Sequence, residues 1–353
     1  MRDTLSAFTG TEPPPPHLAL DSNALMSWVG NRLPGFDAPI EIAKFKGGQS
    51  NPTYRIATRR GNYVLRRKPP GPLRRTAHAI DREFRVLTAL VATDVPIPQP
   101  HLYCSDETVI GSEFYIVDAV EGVIHWDAEL PGETRPYRTA YYNDLIECLA
   151  RIHSVDWQQT GLEGFGGPSN YTARNLQRWY RSFTETKSVA IPDMDWVARA
   201  LKERLPEQEP ISLIHGDYGN HNIIAAGSAP RVIAVLDWEM STIGNPLIDL
   251  AHSLRPWFGP PDRNGQTFIG KDLAALGIPS MEEVVESYTE QTGLRWKDRE
   301  FHLAFVLFRT AAMVQGILHR HSIGTAANKT LAHNQDRIFA LAKQARAILT
   351  GLL

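Results

Sequence analysis

The segment His215-Gly216-Asp217-Tyr218-Gly219-Asn220-His221-Asn222 is the most chemically loaded stretch of the chain, and Leu236-Asp237-Trp238-Glu239 follows it closely. Asn222 lies five positions after Asp217, and a second carboxylate, Asp237, comes fifteen residues after Asn222. Between them stand two short apolar runs, Ile223–Ala226 and Val232–Leu236, separated by Gly227, Ser228 and Pro230, which is the pattern of a β-hairpin. A hairpin returns its exit to its entrance, so Asp217, Asn222 and Asp237 gather as three oxygen-bearing side chains at one end. Hard divalent cations take oxygen sets of this kind. The alternative is that Asp217 and Asn222 only close side-chain turns at strand ends.

The elements that must position these residues fall into two groups. Beyond Gly122 the periodicity is mostly helical, over Arg138–His153, Asn170–Phe183, Met281–Thr292, Asp298–Arg320 and Thr330–Leu349. Ahead of Gly122 the pattern is strand-rich: Ile40–Lys46, Thr53–Thr58 and Tyr63–Arg67, with a tight turn around Arg60, Gly61 and Asn62. A helix over Thr76–Ala92 puts Ile80, Phe84, Leu87 and Val91 on one face, and strands His101–Ser105 and Phe114–Val120 follow. A shorter helix, capped by Asp21 or Ser22, carries Leu25, Trp28, Val29 and Leu33 and stops at Pro34 and Gly35. The order predicts an α+β fold, with a small antiparallel-sheet domain over residues 21–120 and a larger, mainly helical domain over 121–353. Residues 1–20, with prolines at 13–16, read as a flexible leader.

The 353 residues carry 37 Lys and Arg against 39 Asp and Glu, which excludes the strong basic excess of a nucleic-acid or anionic-membrane binder. Hydrophobic residues at 42% and charged ones at 22% are globular proportions. Cys104 and Cys148 form no metal or disulfide pattern and read as buried free thiols. No apolar run has the length of a membrane span, so the expectation is a soluble cytoplasmic protein; the oligomeric state has no signature. One segregation hides inside the balance: residues 59–75 hold seven basic residues and no acidic one, leaving 30 basic against 39 acidic elsewhere.

Gly47, Gly48, Gln49, Ser50 and Asn51 form a turn between the first two strands, where small residues let backbone N–H groups approach a phosphate; a plain hairpin turn is the alternative. Together with the Asp217–Asn222 and Asp237 motifs, this sequence resembles the aminoglycoside phosphotransferase family, which is related to choline kinases and more distantly to protein kinases. The resemblance covers the small domain and runs on through Gly244-Asn245-Pro246-Leu247-Ile248-Asp249-Leu250-Ala251. It implies a bilobal protein-kinase-like fold and a kinase using ATP and Mg²⁺ to phosphorylate the hydroxyl of a small-molecule acceptor.

Residue by residue, the resemblance implies that Asp217 orients the acceptor hydroxyl and takes its proton, and that Asn222 and Asp237 hold Mg²⁺. His215 and Asp249 would brace the catalytic loop. Glu83 would pair with a basic residue on the third strand, where alignment on Val64 and Leu65 puts Arg66 in place of the usual lysine; Lys68 takes that place only if the register shifts by two. The carbonyl of Asp118 and the N–H of Val120 would read adenine, an edge strand and turn being the other reading. Trp179, Arg309, Gln315, Gly316 and Arg320 resemble a subgroup found fused to acyl-CoA dehydrogenase domains, which implies a hydroxylated acyl thioester as acceptor. The basic run is surplus to ATP alone, and a phosphate-bearing acceptor such as CoA accounts for it. The competing expectations are a pseudokinase, on the strength of Arg66, and an aminoglycoside phosphotransferase. His319 and His321, two apart on a helix, point in different directions and read as surface histidines.

Overall fold

The computed structural model describes residues 10–46, 51–69, 79–167, 169–262, 265–323 and 334–352. Two compact units emerge, one built from residues 1–123 with Ile233–Glu239, the other from Ile124–Val232 with Met240–Leu353. A split at one point in the sequence is therefore not what the chain adopts, because the stretch holding Asp237 groups with the N-terminal unit. Val235 N–H bonds to Pro96 O at 2.9 Å in that unit.

In the first unit a six-stranded antiparallel sheet comprises β1 (Thr11–Glu12), β2 (Glu41–Phe45), β3 (Thr53–Ala57), β4 (Asn62–Arg67), β5 (Pro100–Cys104) and β6 (Phe114–Asp118), in the order β1-β2-β3-β4-β6-β5. Helices α1 (Ser22–Gly30) and α2 (Ile80–Leu90) complete it. Asp21 starts α1 as a cap, its side chain accepting from Asn23 N–H at 2.9 Å and Ala24 N–H at 3.0 Å. Alternation sets the strands: Tyr54, Leu65 and Ile116 sit opposite one another across β3, β4 and β6, and all three are fully buried. With Leu25, Val29, Phe36 and Phe114 they make one apolar cluster. Arg66, next to Leu65 on β4, points to the opposite face.

Residues 11–18 carry structure where the sequence predicts a flexible leader. β1 pairs antiparallel with β2, Thr11 opposite Phe45, and the carbonyl of Leu18 accepts the Tyr54 hydroxyl at 2.7 Å. Two ladder residues and one buried hydroxyl suffice to tie a short polar segment that has no apolar period of its own to reveal it.

The second unit is mainly helical, with α3 (Arg135–His153), α4 (Tyr171–Thr186), α5 (Pro192–Glu203), α6 (Pro246–Ser253), α7 (Arg255–Phe258), α8 (Leu273–Leu276), α9 (Met281–Thr292), α10 (Arg299–Ser322) and α11 (Asn334–Leu349). Strand β7 (Ser212–Ile214) pairs antiparallel with β10 (Thr242–Gly244); β8 (Ile223–Ala225) and β9 (Val232–Val235) form the anticipated hairpin, and from Ile233 onward β9 belongs to the stretch grouped with the first unit. α10 packs against α4, α5, α6 and α11 and is buried on most sides from Phe301 to Gly316. It is long and apolar enough to cross a membrane, but 78% of its most apolar window is buried among its neighbours, so it is the core helix of this unit.

Both cysteines are free and buried, and burial pushes the Cys148 thiol up to about 11 and raises Cys104 as well. A neutral-pH alkylating reagent should therefore leave the native chain unlabelled while the denatured chain takes up two equivalents. Mass spectrometry of both states checks this, and rapid native labelling would contradict the burial.

Candidate active site

The first unit assembles a charge cluster on β4, α2 and the segment after β9. Arg66 Nε lies 3.0 Å from Glu83 Oε2, and Arg66 Nη2 lies 2.7 Å from Asp237 Oδ1 and 3.4 Å from Glu239 Oε2. Glu83 is almost fully buried, and the Tyr115 hydroxyl and Trp238 backbone N–H also reach it. Burial pushes its carboxyl up to about 7 against the pull of Arg66. Burial likewise opposes the Arg66 charge, but Asp237 and Glu83 outweigh it and hold the guanidinium firmly protonated. Among the described residues Arg66 thus meets three carboxylates, and the Asp237 and Glu239 side chains are 30% and 25% exposed. Asp237 has φ +63°, in the left-handed region that few non-glycine residues enter and that aspartate tolerates better than most.

Arg66, and not Lys68, thus faces Glu83. Lys68 is 2.7 Å from Glu113 Oε1, and Glu113 also accepts the Tyr103 hydroxyl at 2.6 Å. Arg60 pairs with Asp37 at 3.1 Å. Several cations of the basic run are therefore matched by carboxylates within their own unit, so the sequence count overstates the charge left for a phosphate-bearing ligand. At the end of β6, Asp118 takes the His101 imidazole at 2.6 Å through its side chain, and its N–H bonds to Gln99 O at 3.0 Å. Val120 follows, half-buried, after the bond from Ala119 N–H to Asn62 O at 3.1 Å. Gly47, Gly48, Gln49 and Ser50 lie outside the described residues.

The second unit builds the loop between β7 and β8. Gly216 has φ +85°, and a Cβ there would sit 2.6 Å from the Met240 carbonyl oxygen, so the position admits only glycine. Asp249, fully buried on α6, accepts His215 N–H at 2.7 Å and Gly216 N–H at 2.8 Å. His153 reaches Asp249 Oδ2 at 3.3 Å, its other ring nitrogen meeting the Tyr288 hydroxyl at 2.6 Å. Burial would raise the Asp249 carboxyl, but the His153 hydrogen bond and the nearby imidazoles bring it down to about 2.

Asp217 is the focus of this loop. His252 Nε2 is 2.9 Å from its Oδ1, while His221 Nε2 and Asn222 Nδ2 are each 3.3 Å from its Oδ2. Asn222 Nδ2 also donates to the Asp217 carbonyl at 2.9 Å, which turns the amide nitrogen inward and the amide oxygen away from Asp217. Partial burial pushes the carboxyl up, but His221 and His252 outweigh it and hold Asp217 well below the usual carboxylate range. His252 is pushed down to about 3, by burial first and then by Arg255 and Arg309. At neutral pH it is therefore an uncharged imidazole that stabilises Asp217 by hydrogen bonding.

Within the first unit the structure brings together Arg66, Glu83 and Asp237, and within the second Asp217, Asn222, His215 and Asp249. Glu239, His252 and the role of Arg309 escape the sequence: Arg309 Nη2 donates to Gly216 O at 3.1 Å and lies 2.6 Å from His252 Nδ1. Gln315 donates to Thr186 O at 2.8 Å, a packing contact between helices.

An antiparallel sheet with a buried Arg–Glu pair and a mainly helical unit carrying the Asp217 loop are the parts of a protein-kinase-like phosphotransferase. Residues 41–284, more than half of the chain, match the phosphotransferase enzyme family, and the chain belongs to it. It is similar to acyl-CoA dehydrogenase family member 11 of Pongo abelii, at 40% identity over 319 residues covering 88% of this chain and 40% of that protein. The chain thus spans about two fifths of that relative's length. A crystal structure from Ralstonia eutropha JMP134, provisionally described as an aminoglycoside phosphotransferase, superposes with TM-score 0.85 at 37% identity over 94% of this chain and 99% of the other. The ternary complex of a thermostable aminoglycoside phosphotransferase APH(4)-Ia variant with ADP and hygromycin B shares the fold, with TM-score 0.58 and 15% identity over 93% and 97% of the two chains.

Proposed function

We propose that the chain is an ATP- and Mg²⁺-dependent kinase that transfers the γ-phosphoryl group to a hydroxyl of a small-molecule acceptor, a hydroxyacyl-CoA-like compound. The observation that carries this reading is Asp217, a partly exposed carboxylate held by His252, His221 and Asn222 on a loop whose backbone Asp249 grips from behind. An acceptor hydroxyl donating to Asp217 would be aimed along one direction; as its oxygen bonds to the γ-phosphorus, the bond from that phosphorus to the β,γ-bridging oxygen breaks, ADP leaves with that electron pair, and the hydroxyl proton passes to Asp217. Phosphoryl transfer asks mainly for such alignment and for charge neutralisation.

Asn222 and Asp237 would hold Mg²⁺, which when bound neutralises charge on the phosphates. The partly exposed Asp237 carboxylate and the outward amide oxygen of Asn222 are oxygen donors of the kind a hard cation takes. No group of three or more His, Cys, Asp or Glu forms a metal cage among the described residues, and magnesium at nucleotide sites is commonly bound through one or two protein oxygens plus phosphates. Arg66, oriented by Glu83, would clamp the phosphates with its planar fork. The backbone at Gly47, Gly48, Gln49 and Ser50 would approach them, while Asp118 O and Val120 N–H would read the adenine edge. Residues 21–120, with Ile233–Glu239 grouped beside them, then form the nucleotide-binding part, and the remainder of 121–353 the catalytic and acceptor-binding part. Two buried free thiols suit a reducing, cytoplasmic setting.

The acceptor class draws its support from the likeness to a protein named as an acyl-CoA dehydrogenase. Incubating the chain with ATP and Mg²⁺ and a panel of hydroxyacyl-CoAs, aminoglycosides and other hydroxylated metabolites should give a mass gain of one phosphoryl group on a hydroxyacyl-CoA. Phosphorylation of aminoglycosides alone would overturn the acceptor, and nucleotide binding with no transfer to any acceptor would point to a pseudokinase.

A further inference from the structure

Arg309 on α10 and His252 on α6 are both buried, at 3% exposure each, behind the Asp217 loop. A guanidinium carries only donors. Arg309 Nη2 has two hydrogens and two acceptors in range, the Gly216 carbonyl oxygen at 3.1 Å and His252 Nδ1 at 2.6 Å. Nδ1 must then present a lone pair, so the single ring proton resides on Nε2. Nε2 is the atom 2.9 Å from Asp217 Oδ1, and the hydrogen bond runs from imidazole to carboxylate. The opposite tautomer would set N–H against N–H at one end and lone pair against carboxylate at the other. An imidazolium would retain the first of these clashes.

We propose that Arg309 and His252 are positioning residues for phosphoryl transfer: Arg309 selects the Nε2–H tautomer of His252, and that proton fixes the rotation of the Asp217 carboxylate. This rests on the assignment of Asp217 as the residue that orients the acceptor hydroxyl. The chain of contacts has a second effect, because the same Nη2 holds the peptide that precedes Asp217. Backbone and side chain of Asp217 are thereby referred to one guanidinium at the centre of the core helix. The cation is useful there because lysine, a single flexible ammonium, would not hold two acceptors in a fixed plane. Arg255 also faces this group, since its charge lowers the His252 imidazole and is itself favoured by Asp217.

Two measurements test the proposal. Nitrogen NMR of the full chain labelled in histidine should show His252 at neutral pH with Nδ1 bare and Nε2 protonated, assigned by the loss of its signals in His252→Gln. The Nδ1–H tautomer, an imidazolium or an even mixture would overturn it. This readout needs no substrate and stands even if Asp217 has another role, so the two assignments fail separately. In the kinase assay, His252→Leu, which removes donor and acceptor, should lower kcat by about 10²-fold with nucleotide KM unchanged. His252→Gln, whose amide offers a donor and an acceptor at about the spacing of the ring nitrogens, should recover most of that loss. Equal activity in wild type, Leu and Gln variants would remove His252 from the mechanism. Equal loss in both variants with nucleotide KM raised would mean that the residue only supports the fold, and would overturn the positioning role.

Discussion

Asp217→Asn should lower turnover by about 10²- to 10⁴-fold while nucleotide affinity stays close to that of the wild type. The change is nearly isosteric, and Oδ1 can still accept from His252. The other half of the group is the problem. Oδ2 now accepts from His221 and from Asn222 Nδ2, each at 3.3 Å, and an amide nitrogen there would face the Asn222 amide donor to donor. The side chain would either rotate, giving up the His252 bond, or repel Asn222. In neither case does it offer a charged acceptor to an incoming hydroxyl, and the negative charge that stabilises the departing proton is gone. The proposed phosphate clamp of Arg66 and Glu83 is left intact, so binding and turnover should separate. Steady-state kinetics with direct nucleotide titration measures both, and undiminished turnover would refute the role given to Asp217.

Asp249→Ala should cost about 3–5 kcal/mol of unfolding free energy, the range seen when one partner of a buried charged network is removed. Three groups lose their acceptor at once: the N–H groups of His215 and Gly216 and the His153 imidazole. The site is fully buried, so water does not easily replace the carboxylate. Chemical denaturation with a fluorescence readout checks the size. The sign of the pH effect follows from the lowered carboxyl: its stabilising contribution is present above the ordinary aspartate range and is lost as pH falls towards about 2. The alanine variant should accordingly lose less stability on acidification than the wild type. A loss below 1 kcal/mol would show that the network carries little of the fold.

How much of this was legible in the sequence depended on distance along the chain. Asp217 and Asn222 lie five residues apart in one motif, and the hairpin between Asn222 and Asp237 has its own turn residues, so the loop and the hairpin could be named. The strands of the first unit were legible because their alternation is strong, Tyr54 and Ile56 against Arg55 being the plainest case. His252, and the role of Arg309, could not be read. They stand 35 and 93 residues from the loop groups they touch, and helix periodicity carries no signal for a contact at that separation. α5 was missed because it opens on Pro192 and carries Asp193 and Asp195 in its first turn, which resembles a loop until the helix is seen to start there. β10 is three residues long and depends wholly on its ladder with β7. The Arg66 or Lys68 ambiguity was a register question, resolved only when Glu83 and Glu113 were seen to take one cation each.

The core helix that supplies Arg309 also resembles a segment of another kind. By length and composition alone the stretch Arg299–Ser322 passes for a membrane span. Arg309 lies near its midpoint, where an arginine adds about 2.5–3.5 kcal/mol to the cost of insertion. The guanidinium behind the Asp217 loop therefore also sets this helix apart from a membrane span of the same length and hydropathy. An apolar replacement at this position would erase that distinction as well as leaving the Gly216 carbonyl and His252 without their donor.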